Sequence, residues 1–134
     1  MPWGGTRIVT KRILIAEDER NIAESLRFLL TRAGHEVSLA LDGAETLAMV
    51  RRARPDALVL DLMLPKVSGF DILKELRGAA ETRTLPILML TAKGQANDRR
   101  TAEALGVDAF LTKPFANQDV LAAVATLLGE PLHG

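Results

Sequence analysis

The chain has 134 residues, of which 48% are hydrophobic, and its 17 basic and 17 acidic side chains cancel. That is the size of one domain with enough apolar side chains for a full core, and the neutral balance gives no electrostatic reason to expect nucleic acid or an anionic membrane as a direct partner. The absence of cysteine excludes a disulfide framework and a thiolate zinc site and fits a reducing cytoplasm, and no apolar run approaches the roughly 20 residues of a membrane span.

Met1 to Thr10 lacks the apolar core of a signal peptide and reads as an N-terminal tail. Residues 12–16 hold Ile13, Leu14 and Ile15 together, the unbroken apolar pattern of a strand buried on both faces, and run into Glu17-Asp18-Glu19. From Glu19 the spacing changes to Ile22, Leu26, Leu29 and Leu30, one face of a helix that Gly34 stops. His35 to Leu41 reads as a second, shorter strand and Asp42-Gly43 as a turn. Ala44, Leu47, Ala48 and Val50 then mark a second helix ending near Arg54-Pro55. Ala57 to Leu60 is another buried-strand run, ending in Asp61, and Pro65 to Gly69 forms the loop that follows. Ile72, Leu73 and Leu76 define a third helix, broken at Gly78. Pro86 opens a fourth strand, Ile87 to Leu90, which ends at Thr91, with Gly94 in the next loop. Ala102 and Leu105 are the only clear apolar marks of a fourth helix, so it should be loosely anchored before Gly106 closes it. Asp108 to Thr112 is the fifth strand and leads into Lys113-Pro114. Val120, Leu121, Val124, Leu127 and Leu128 mark a last helix that Gly129 stops, and residues 130–134 form a C-terminal tail.

Strands alternating with helices predict an α/β fold: a doubly wound, five-stranded parallel sheet with five helices on its two faces, because crossovers are right-handed. A first strand flanked by the second and third gives the order 2-1-3-4-5, the flavodoxin-like arrangement. Residues 11–129 then form a single domain, with no room for a second.

In such a sheet all carboxyl ends lie along one edge, where ligands bind. Glu17-Asp18, Asp61, Thr91 and Lys113 stand at four of those ends. Taken singly, a carboxylate or threonine after a strand often caps the next helix, and a lysine there is usually a solvated charge; Asp61 alone reads as well for a cap as for a nucleophile or metal ligand. Together they describe a chemistry. Three carboxylates in one crevice repel, and hard oxygen donors without histidine or thiol suit Mg²⁺. Lys113 adds a fixed positive charge and Thr91 a hydroxyl donor, so the set can neutralise and position phosphoryl oxygens while Asp61 attacks to form an acyl phosphate.

The same residues carry a resemblance. Ile13-Leu14-Ile15-Ala16-Glu17-Asp18-Glu19, Leu58-Val59-Leu60-Asp61-Leu62-Met63-Leu64-Pro65 with Gly69, Leu88-Met89-Leu90-Thr91-Ala92 and Phe110-Leu111-Thr112-Lys113-Pro114-Phe115 are similar to the receiver domain of two-component response regulators. The likeness spans about Lys11 to Leu128. It implies that Asp61 is the phosphoacceptor and that Asp61, Thr91 and Lys113 form the catalytic set. Mg²⁺ would be held by Asp18, by Glu17 mostly through water, by Asp61 and by the Met63 carbonyl. Thr91, Lys113 and the N–H groups of Met63 and Ala92 would bind the phosphoryl oxygens. Lys113-Pro114 would be cis. Thr91 and Phe110 would form the switch, Phe110 turning inward as Thr91 moves, so that the surface of the fourth helix, fifth strand and fifth helix changes for a downstream protein target. The phosphoryl group would come from a histidine kinase or a histidine phosphotransfer protein. The resemblance thus implies a cytoplasmic signalling domain rather than an enzyme, limited to its own phosphorylation and slow autodephosphorylation.

Some positions depart from the family pattern. Glu17 stands where many receivers have aspartate and Phe110 where tyrosine is frequent. Ala109 and Gln118 stand where receivers that dimerise through the fourth and fifth helices carry an acidic and a basic residue, which favours a monomer or weak dimer. A phosphatase of the haloacid dehalogenase type also uses an aspartate nucleophile but wants a second aspartate where Met63 stands, and a receiver fold kept only for constitutive binding would normally have lost Asp61, Lys113 or the acidic pair. His35 reads as a strand-start residue rather than a phosphodonor. Arg51-Arg52-Ala53-Arg54 and Arg99-Arg100 read as solvated helix faces, Met63 and Met89 as partly buried packing residues, and Trp3, in the tail, carries no role.

Overall fold

The computed structural model describes residues 10–92 and 96–129. Trp3, Gly94 and nearly all of both predicted tails lie outside the described residues. The elements run β1 (Arg12–Ala16), α1 (Arg20–Arg32), β2 (Glu36–Ala40), α2 (Gly43–Ala53), β3 (Ala57–Asp61), α3 (Gly69–Gly78), β4 (Ile87–Thr91), α4 (Ala96–Ala104), β5 (Ala109–Thr112) and α5 (Asn117–Leu127). The strands form one parallel sheet in the order β2-β1-β3-β4-β5, as the alternation predicts.

Every residue of β3 and β4 is buried, which is why these strands show no polar alternation. Their side chains nevertheless sort by parity. Leu14, Ala16, Leu58, Leu60, Ile87 and Met89 share one core with Leu47 and Val50 of α2 and Ile72, Leu73 and Leu76 of α3. Ile13, Ile15, Val59, Leu88 and Leu90 share the other with Leu26 and Leu30 of α1 and Val120 and Val124 of α5. The edge strands are less covered: Glu36 and Ser38 of β2 are exposed and β5 is only half-buried.

The helix ends follow local chemistry. Gly34 takes φ 101 just beyond the C-cap of α1, the left-handed turn that glycine makes without a Cβ clash. Ser68 caps α3 by accepting the Asp71 N–H at 3.2 Å. Two expectations need correction. Ala44 and Ala48 are exposed rather than on the buried face of α2, which is made by Thr46, Leu47 and Val50; the helix starts at Gly43 and the stripe is rotated accordingly. Met63 is 72% exposed, not partly buried, while Met89 is fully buried. Leu62 and Leu64 turn inward on either side of Met63, which leaves the residue between them facing solvent.

At the opposite edge of the sheet one arginine ties three segments together. The Arg77 guanidinium donates to the carbonyls of Gly106 (2.9 Å), Arg83 (3.1 Å) and Leu85 (2.8 Å) and to Asp108 Oδ2 (2.8 Å). Asp108 Oδ2 also accepts the Ile87 N–H at 2.8 Å, so Asp108 is engaged before β5 begins. Arg77→Ala is expected to lower the unfolding free energy by about 2–3 kcal/mol, because several charged hydrogen bonds are lost at once. Arg77→Lys should recover little, since an ammonium cannot present the forked donors. Denaturant titration of both variants checks this, an unaltered midpoint for Arg77→Ala being the contrary result.

Candidate functional site

The register of the sheet brings the predicted polar ends together. The Glu17 N–H donates to the Ala40 carbonyl (3.0 Å), Leu62 to Leu90 (2.9 Å) and Lys113 to Thr91 (2.7 Å). Asp61 lies opposite Leu90, and Thr91 opposite Thr112. Glu17, Asp61, Thr91 and Lys113 therefore stand at the last rung of a ladder or one step beyond, at the carboxyl edge, and Asp18 lies two residues beyond β1.

Glu17, Asp61 and Thr91 are buried there, and Asp18 is exposed. One carboxylate oxygen from each of Glu17, Asp18 and Asp61 lies within 4.8 Å of the others. Lys113 Nζ donates to Glu17 Oε1 at 2.9 Å and to Asp61 Oδ1 at 3.4 Å. The second Glu17 oxygen accepts the Glu19 N–H at 3.0 Å. Burial pushes the Glu17 carboxyl above its ordinary range, despite the hydrogen bonds from Lys113 and Glu19, and the neighbouring Asp61 charge pushes the same way. Burial alone would pull the Lys113 ammonium down; its hydrogen bond to Glu17 and the charges of Asp61 and Glu17 outweigh that and raise it.

The donor set suits a hard divalent cation. Three carboxylates against one ammonium leave an excess of negative charge, all of it on oxygen. The Thr91 hydroxyl is buried and has no hydrogen-bond partner among the described residues. A buried hydroxyl in that state costs free energy unless something else meets it, and its place beside the acidic edge suggests an oxygen of a bound group. Met63 follows Asp61 by two residues and Ala92 follows Thr91, so both predicted amides belong to this edge, and both residues are exposed. The Lys113-Pro114 bond is cis, as the resemblance implies.

Phe110, the expected switch aromatic, is half-buried opposite Met89. The Arg99 guanidinium of α4 lies 5.7 Å from its ring centroid, a cation–π distance. Arg51 pairs with Glu75, and Arg99 with Glu103 at 3.4 Å, in keeping with solvated helix faces. His35 precedes β2 at the far, amino-terminal end of the sheet and is not part of the site. Beside Lys113 opens an apolar groove of about 570 Å³ lined by Ile22, Leu26, Ala92, Pro114 and Phe115.

One part of the site was not anticipated. Asp42-Gly43, read as a simple turn, abuts the loop after Asp61: the Gly43 N–H donates to the Pro65 carbonyl at 3.0 Å and Lys66 Nζ lies 3.4 Å from Asp42. The available signal was the capping pattern Asp42-x-x-Glu45, in which Asp42 accepts the Glu45 N–H and Glu45 accepts the Leu41 N–H, both at 2.8 Å.

A family model for the response regulator receiver domain matches residues 13–125. Among curated proteins, the response regulator MprA of Mycobacterium leprae (strain TN) is 45% identical over 117 residues, covering 87% of this chain and 50% of that protein. The chain therefore spans about half the length of the curated relatives it matches. Among solved structures, the chemotaxis response regulator CheY4 of Vibrio cholerae superposes with a TM-score of 0.84 at 31% identity, covering 90% of this chain and 100% of that one. The receiver domain of the sensor histidine kinase PA1611 from Pseudomonas aeruginosa PAO1 gives 0.83 at 28% identity, covering 91% and 100%; that structure has a magnesium ion coordinated in the active site cleft.

Proposed function

The chain belongs to the response regulator receiver domain family, and we propose that it accepts a phosphoryl group on Asp61 and uses it to switch a protein-binding surface. The observation that carries this reading is the buried Asp61 carboxylate, held by Lys113 beside two further carboxylates and the unpartnered Thr91 hydroxyl. In this reading residues 11–129 are the working unit. Glu17, Asp18, Asp61 and the Met63 carbonyl would hold Mg²⁺, which when bound neutralises phosphoryl oxygens and lowers the repulsion against attack.

The chain's own groups do the rest. An Asp61 carboxylate oxygen attacks phosphorus and forms an O–P bond, while the bond from phosphorus to the donor breaks and the donor atom takes up the electron pair. Lys113 and Thr91 bind two phosphoryl oxygens, and the N–H groups of Met63 and Ala92 complete the cradle. Burial of Asp61 keeps competing water sparse. The donor would be a phosphohistidine of a kinase or phosphotransfer protein, approaching over the apolar groove beside Lys113. Movement of Thr91 toward the phosphoryl group would free space for Phe110 to turn inward, drawing Arg99 and α4 with it and altering the α4–β5–α5 surface for a downstream protein. This is self-catalysed signalling chemistry, not turnover of a substrate. Among the described residues no helix is long and apolar enough to cross a membrane, and a cytoplasmic location is part of this proposal.

The test is incubation with acetyl phosphate in the presence and absence of Mg²⁺, followed by intact mass and peptide mapping. The expected result is one Mg²⁺-dependent phosphoryl group on Asp61. Equal incorporation without a divalent ion, or incorporation at another residue, would contradict the proposal.

Thr91→Val provides a second check with opposite effects. Valine fills the same volume without the unpartnered hydroxyl, so the metal-free protein should gain about 1 kcal/mol in unfolding free energy. Acetyl phosphate labelling of the same variant should slow at least about tenfold, because a donor to the phosphoryl oxygens is lost. Denaturant titration and labelling kinetics on one preparation measure both.

A further inference from the structure

Resting on the reading of the site just given, we propose that Asp42, Gly43 and Lys66 are positioning residues for Mg²⁺ and the phosphoryl group: they fix the loop after Asp61 without touching the reacting atoms. That loop is outside the sheet ladder, so its shape depends on contacts at its ends. Near the helical end, the Gly69 N–H donates to the Leu62 carbonyl at 2.9 Å. In the middle, the Pro65 carbonyl accepts both the Gly43 N–H at 3.0 Å and the Val67 N–H at 2.9 Å. A Cβ on Gly43 would sit 2.6 Å from Val67 Cβ, so the start of α2 and the loop approach as closely as a missing side chain allows.

Lys66 adds the third hold. Its φ is 73°, a left-handed conformation that glycine adopts without strain and a long side chain does not. The chain nevertheless places a lysine there, and its ammonium reaches to 3.4 Å from Asp42 Oδ2. Asp42 is itself fixed, because its other oxygen caps α2 through the Glu45 N–H at 2.8 Å. Met63, whose carbonyl and N–H are assigned to the ion and the phosphoryl group, lies between the two pinned points. A loosened Pro65–Val67 segment would let those atoms drift from Asp61 while the sheet and both cores stayed intact.

Conformational cost and positioning can be separated by mutation. Lys66→Gly relieves the left-handed backbone but removes the ammonium. Asp42→Asn keeps a good helix cap but removes the charge. Lys66→Arg keeps the pair. The measurements are Mg²⁺ affinity by isothermal titration, labelling rate with acetyl phosphate at saturating Mg²⁺, and melting temperature of the metal-free protein.

Lys66→Gly and Asp42→Asn should each weaken Mg²⁺ binding about two- to fivefold, the scale of a partly exposed ion pair, and slow labelling similarly. The double variant should be no worse than either single one, as expected for two ends of one contact. Lys66→Arg should behave like the wild type, and Lys66→Gly should melt at the same or a higher temperature. Variants that bind Mg²⁺ and label like the wild type, or a Lys66→Gly loss that tracks a lower melting temperature, would overturn the clamp alone. A wild-type protein that takes neither Mg²⁺ nor a phosphoryl group would overturn the site reading, and the clamp with it.

Discussion

Lys113→Met is expected to lower the unfolding free energy of the metal-free protein by about 2–4 kcal/mol at neutral pH, the cost of leaving buried carboxylates without their cation. The lower half of that range is favoured, because a quarter of the Lys113 side chain is exposed. In the proposed phosphoacceptor reading, labelling of Asp61 should fall about 100-fold or more, since Lys113 would be a charged donor to the transferred group. The stability effect has a definite pH signature. Glu17 already has a raised pKa in the folded protein, so the fold binds its proton more tightly than the unfolded chain does. Its contribution is fully present below the ordinary value near 4.5 and fades as pH rises through the folded value. Removing the ammonium raises Glu17 further, so the variant should regain stability on mild acidification and lose it toward neutrality more steeply than the wild type. The Lys113 contribution has the same sign at the other end of the scale: it is fully present below 10.5 and lost only as pH rises through the raised folded value. Urea titrations across mildly acidic to neutral buffers test this, and saturating Mg²⁺ should narrow the gap between the proteins. Equal midpoints for both proteins at every pH would contradict it.

Gly69→Ala is expected to cost about 2–3 kcal/mol, the range for an overpacked site that cannot relax. A Cβ at this position would lie 2.7 Å from Leu62 Cα, 2.9 Å from the Asp61 carbonyl oxygen and 3.1 Å from the Leu62 carbonyl oxygen. All three are backbone atoms, so no side-chain rotation can make room. The strain falls on the peptide units that aim Asp61, so Mg²⁺ affinity and labelling should drop together with stability. Calorimetry of the variant decides: for a domain of this size the loss corresponds to a melting temperature lower by roughly 5–10 °C, and a transition within about 2 °C of the wild type would sink the argument.

The fold was legible because its signals are local. Continuous apolar runs at Ile13–Ala16, Ala57–Leu60 and Ile87–Leu90 can only be satisfied by burial on both faces, and glycines at 34, 106 and 129 end helices with positive φ, as observed. The site was legible for a related reason: a parallel sheet converts "last residue of a strand" into a shared location, so the sequence alone groups Glu17, Asp61, Thr91 and Lys113. What was not legible depends on facing partners. The exposure of Met63 follows from Leu62 and Leu64 both turning inward, which a loop assignment does not specify. The rotated stripe of α2 follows from Gly43 being helical, and that in turn from its contact with Pro65 and Val67, a segment remote in sequence. The fourfold hydrogen bonding of Arg77 had no pattern to announce it, because three of its acceptors are backbone carbonyls that any residue could supply.

The weak apolar marking of α4 has an outcome beyond its packing. Among its described side chains only Ala102 is buried, so the helix itself contributes little apolar surface to the core it lies against. The Arg99 contact with Phe110 is surface-exposed on the arginine side and yields readily to water. Detachment of that flank therefore demands a small fraction of the global unfolding free energy, and the two cores on either face of the open sheet, around Leu14 and around Leu88, have no reason to follow. Under the proposed function, phosphorylation of Asp61 would then be answered by a local rearrangement of the α4 flank, while the sheet that holds the site stays still.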